Sequence, residues 1–127
     1  MGKTILSVLR HTEYGNLEDS DIGLFASAFA PVAGSKITIL LTEDAVNYGV
    51  RGQEGTGIEI AGAPVQPGFL IETDVQSVQQ AGIPVYALRE DVEERGISPS
   101  DLIPGIQLLA RREYGRFIDR FDTVWNW

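Results

Sequence analysis

The chain has 127 residues, of which 43% are hydrophobic and none is cysteine. That size and balance fit one globular domain over residues 1–127, and they exclude disulfides, thiolate metal sites and thiol catalysis within the chain. Ten basic against 18 acidic residues give a formal charge of −8, which argues against nucleic acid and anionic membranes as partners.

The elements can be taken in chain order. Met1-Gly2-Lys3 leads straight into the apolar run Thr4–Leu9, with no sign of an export signal, so a cytoplasmic location is expected. Asp19, Ser20 and Asp21 offer caps for a helix over Asp19–Ala33, with Ile22, Phe25, Ala26 and Phe29 on one face. Pro31 and Gly34 would end it. Lys36–Leu41 is the second strand, and Thr42 is expected to cap a short helix reaching Tyr48. Gly49–Gly68, with six glycines and two prolines, predicts a long loop. The Ile58-Glu59-Ile60 alternation suggests a small strand inside that loop, which reads either as a lid or as a segment ordered by a neighbouring subunit.

A helix is expected over Ile71–Gln80, then a strand over Pro84–Leu88 and a charged helix over Arg89–Arg95, stopped by Gly96. Ser98-Pro99-Ser100-Asp101 reads as a turn that restarts a short helix with Pro99 at its first position. Gly105–Leu109 and Thr123–Trp127 complete the strands, with a helix over Arg111–Phe121 between them. The strand runs are mostly continuous rather than alternating, as expected when both faces of a parallel sheet are covered. Strands alternating with helices predict an α/β three-layer sandwich with a mostly parallel five-stranded sheet, in a flavodoxin-like order of 2-1-3-4-5. No run approaches the roughly 20 apolar residues of a membrane helix.

In such a sheet, ligands bind in the crevice beyond the strand C-termini. The loops after the first three strands bring His11, Tyr14, Glu43, Asp44 and Arg89 to that crevice as binding candidates. His11, the sole histidine, reads either as an acid or base beside carboxylates or as an ordinary exposed loop residue. Glu13, Glu18, Asp19 and Asp21 match a calcium loop poorly and suit helix capping better. No metal or cofactor is expected: Gly2-Lys3-Thr4 lacks the upstream glycine of a P-loop, and the glycines at 49–57 do not fit a dinucleotide fingerprint. The basic group of Arg111, Arg112, Arg116 and Arg120 is interrupted by Glu113 and Asp119 and reads as a solvated helix face. Trp125 and Trp127 fall on one face of the last strand, where they cap the core or anchor a subunit interface.

The order of these features resembles the DsrE/DsrF-like family, which includes the TusBCD sulfur-relay subunits. The resemblance rests on Tyr14-Gly15 before an acidic helix start, on Leu41-Thr42-Glu43-Asp44-Ala45-Val46, and on the glycine-rich stretch that follows. It rests further on Gly82-Ile83-Pro84-Val85-Tyr86-Ala87-Leu88 leading to Glu94-Arg95-Gly96-Ile97, and on the closing Asp122–Trp127. It covers nearly the whole chain. Counting back from Arg95-Gly96 places the family's persulfide-carrying cysteine at Leu88. The resemblance therefore implies a member with no catalytic residue, a non-catalytic structural or regulatory subunit. It also implies assembly as a homo-oligomer, trimer or hexamer, or as a hetero-oligomer with DsrE/F-like relatives. Restoring the thiol with Leu88→Cys is expected to give a reactive group at a helix N-terminus. The alternative expectation is a small-molecule or anion binding protein using the strand-end crevice.

Overall fold

The computed structural model describes residues 3–11, 34–52, 58–65 and 71–127. The helix expected over 19–33, Tyr14, the acidic group at 13–21 and parts of the glycine-rich stretch lie outside the described residues.

Five strands form a parallel sheet: β1 (Thr4–Leu9), β2 (Lys36–Leu41), β5 (Val85–Leu88), β6 (Gln107–Leu109) and β7 (Thr123–Asn126). A separate antiparallel hairpin joins β3 (Ile58–Ile60) to β4 (Ala63–Val65). The small strand expected at 58–60 is thus present, and its partner β4 was not foreseen. Among the described residues the helices are α1 (Ile71–Gln80), α2 (Arg89–Glu94) and α3 (Tyr114–Ile118), with 3-10 turns at Glu43–Gly49, Pro99–Asp101 and Arg111–Glu113.

The sheet order is β6-β5-β2-β1-β7. This corrects the expected 2-1-3-4-5 order, in which the first strand lies between the second and third. Here β2 lies between β1 and β5, and β7 returns to the far side of β1. Apolar runs mark where strands are but not which neighbours they take. The crossovers decide that, and right-handedness alone allows both orders.

Side chains alternate across the sheet and supply two cores. Ile5, Leu9, Ile39, Leu41, Val85 and Ala87 pack with Val46, Tyr48, Val75, Val78 and Val92 on one face. Leu6, Val8, Leu40, Leu88 and Leu109 pack with Phe117 on the other. The α2 connection leaving β5 therefore covers the first face, and the α3 connection leaving β6 covers the second. Trp125 and Trp127 pack half-buried against the first core, edge to face at 6.4 Å. The Trp127 indole N–H donates to the buried Ser7 hydroxyl at 2.9 Å.

Two local expectations are corrected. Thr42 does not cap the turn after β2. It is buried, and its hydroxyl and N–H both donate to Leu9 O, tying the ends of β2 and β1 together. The helix expected over 111–121 is a 3-10 turn followed by the five-residue α3. The Arg111 N–H donates to the Glu90 carboxylate, and Gly115 weakens the helix that follows.

Candidate functional site at the strand ends

Adjacent strands lie about 4.8 Å apart, so the order β1, β2, β5, β6 lines up the residues that follow them along one edge of the sheet. Arg10 and His11 follow β1, Glu43 and Asp44 follow the β2 end, Arg89 follows β5 and Arg111 follows β6. His11, Glu43, Asp44 and Arg89 are all exposed there, so the structure brings these four candidates to the same edge.

They differ in how free they are. Asp44 accepts from the Arg95 guanidinium at 2.9 Å. Glu43 has a left-handed backbone, φ +50°, which costs a residue with a Cβ of the order of 1 kcal/mol or more. Its N–H donates to Asp91 Oδ2 at 2.7 Å. Among the described residues, Arg10 and Arg89 make no ion pair.

Sequence reasoning missed the residue at the centre of the edge. Asp91 lies in the first turn of α2 and is buried, with 5% of its surface exposed. Its Oδ1 accepts from the Arg111 guanidinium at 2.7 Å while Oδ2 holds Glu43. Arg111 also reaches Glu94 Oε1 at 3.3 Å. These carboxylates, Asp91 first, raise the Arg111 pKa further above its ordinary range. The Glu90 carboxyl is held below its usual range, chiefly by the Arg111 backbone N–H. The four arginines of the basic group are exposed, as expected for a solvated face, and Arg111 is in addition ion-paired to Asp91 and Glu94. Arg120, from the same group, lies over the Phe117 ring at 5.3 Å. The available signal for Arg111 was its position directly beyond an apolar run.

Tyr114 was also missed. It is half-buried against the second core. Burial raises its phenol pKa, nearby Arg10 opposes that and Glu43 adds to it, so the phenol keeps its proton and remains a donor at neutral pH.

Leu88 occupies the N-cap position of α2, where its side chain makes no capping hydrogen bond. Its side chain is 4% exposed and belongs to the second core. A thiol there would be embedded in hydrocarbon, which raises a thiol pKa. The burial argues against the reactivity expected of a Leu88→Cys thiol. Among the described residues, no group of three or more His, Asp or Glu is placed to hold a metal ion, and no helix is long and apolar enough to cross a membrane.

No protein-family model matches the sequence, and no curated protein does. Solved structures match its shape. The YchN protein from E. coli aligns over 100% of both chains with a TM-score of 0.71 at 22% identity. The fold is DsrE-like. The protein of unknown function MTH1491 from Methanobacterium thermoautotrophicum aligns over 97% of both chains with a TM-score of 0.59 at 12% identity. At these identities the likeness is one of DsrE-like architecture, and the chemistry of the strand edge has to be read from the residues themselves.

Proposed function

We propose that this DsrE-like protein is a non-catalytic, cytoplasmic subunit that builds or regulates an oligomeric assembly related to sulfur-relay complexes. The observation that carries the proposal is the missing thiol: the chain contains no cysteine, and a leucine stands at the strand-to-helix junction to which the resemblance assigns one. Carrying a persulfide requires a thiolate, and a leucine side chain has no lone pair to offer. Size-exclusion chromatography with light scattering, together with identification of co-purifying proteins, tests the proposal. The expected result is a trimer, a hexamer or a mixed assembly containing a cysteine-bearing relative. A monomer at micromolar concentration with no such relative would overturn it.

A second reading is supported by Arg10 and Arg89 at the strand ends, which make no ion pair among the described residues. On this reading the protein binds a small anion there, with the protonated Tyr114 phenol as a further donor. A thermal-shift series over phosphate, sulfate, thiosulfate and nucleotides should then show stabilisation that is lost in Arg89→Ala. The absence of a shift at saturating concentrations of every compound would remove this reading.

A further inference from the structure

We infer that Asp91 is the positioning residue of a clasp that holds residue 43 in its left-handed conformation and keeps the crevice between the β5 and β6 ends shut. The inference goes beyond the assembly and anion readings and depends on neither.

The clasp is built at a specific place in the topology. The connections leaving β5 and β6 cover opposite faces of the sheet. Where neighbouring strands send their connections apart in this way, an α/β sheet opens a crevice between them. Here the crevice is bridged. Arg111, from the β6 side, reaches Asp91 and Glu94 of α2, and its backbone N–H is held by Glu90 of the same helix. The other oxygen of Asp91 continues the bridge to the end of β2 through the Glu43 N–H. One buried carboxylate thus joins three strand ends.

The Glu43 end of the clasp is under load. A glutamate at φ +50° relaxes to an ordinary backbone unless something holds it, and the hydrogen bond to Asp91 is of the charged, short kind suited to that task. Arg111 in turn compensates the buried charge of Asp91, which would otherwise be costly. Opening the crevice requires breaking the Arg111 contact. That leaves Asp91 to hold Glu43 without a compensating cation, so the Glu43 backbone and the crevice are coupled.

Amide hydrogen exchange on the full chain tests the coupling. In Asp91→Ala, the Glu43 amide should lose protection by about ten- to a hundredfold, the equivalent of one hydrogen bond to a charged group. The Leu6 and Leu40 amides, at the centre of the sheet, should change far less. Asp91→Asn, which keeps an acceptor for Glu43, should restore most of the protection. Arg111→Met should also loosen the Glu43 amide, and it carries the test should Asp91→Ala fail to fold. An unchanged Glu43 rate in Asp91→Ala or Arg111→Met, or a loss that only tracks Leu6 and Leu40, would overturn the clasp.

Discussion

A cysteine at position 88 would lie where the leucine now packs, among Leu6, Val8, Leu40, Leu109 and Phe117. Leu88→Cys is therefore expected to react slowly with a thiol reagent in the native state and rapidly once unfolded. A native rate matching that of the denatured chain would contradict the buried placement. Asp122 offers a pH test at the same scale. Its carboxylate accepts from the Thr4 N–H and hydroxyl at 2.9 and 3.1 Å, and these bonds, the N–H first, lower its pKa. A carboxyl depressed on folding stabilises the native state above its ordinary pKa, and that contribution is lost as pH falls through the depressed value. Thr4→Val removes one donor, so the Asp122 titration followed by NMR should move up toward the ordinary range. An unmoved titration would mean that the hydroxyl does not matter. Glu43 and Arg89 were legible because they directly follow apolar runs. Asp91 was not, because an acidic residue in a first helical turn ordinarily faces solvent and complements the helix dipole. What singles it out is the cation delivered from β6, a contact between residues 20 apart in sequence.

The strands were legible as elements, since five apolar runs separated by turn residues leave little else to form. α1 and α2 were equally clear, because Gly82 and Gly96 follow them at positive φ. The segment after β6 was not, since Gly115 weakens a helix whose first turn is 3-10. Gly105 gives a test at this scale. It has φ +95°, and a Cβ there would lie 2.9 Å from Gln79 Nε2, the atom that bonds Pro104 O at 3.1 Å. Gly105→Ala should cost about 1–2 kcal/mol in chemical denaturation by disturbing the α1–β6 junction. A change within error would show that the turn repacks freely.

At the scale of the molecule, the α/β class and parallel sheet followed from continuous apolar runs, whereas strand order did not. The order depends on which face each connection crosses, and the sequence between β6 and β7 carries no mark of its direction. The return of β7 beside β1 has a consequence for how the protein can be watched. The Trp127 indole is fastened to Ser7 across a separation of 120 residues, so the pairing closes a loop that spans most of the chain and its closure entropy must be met before the contact rewards it. Tryptophan emission therefore serves as a built-in gauge of that closure. In a refolding experiment, its native signal should arrive only after the helical signal, when the two distant strands have met.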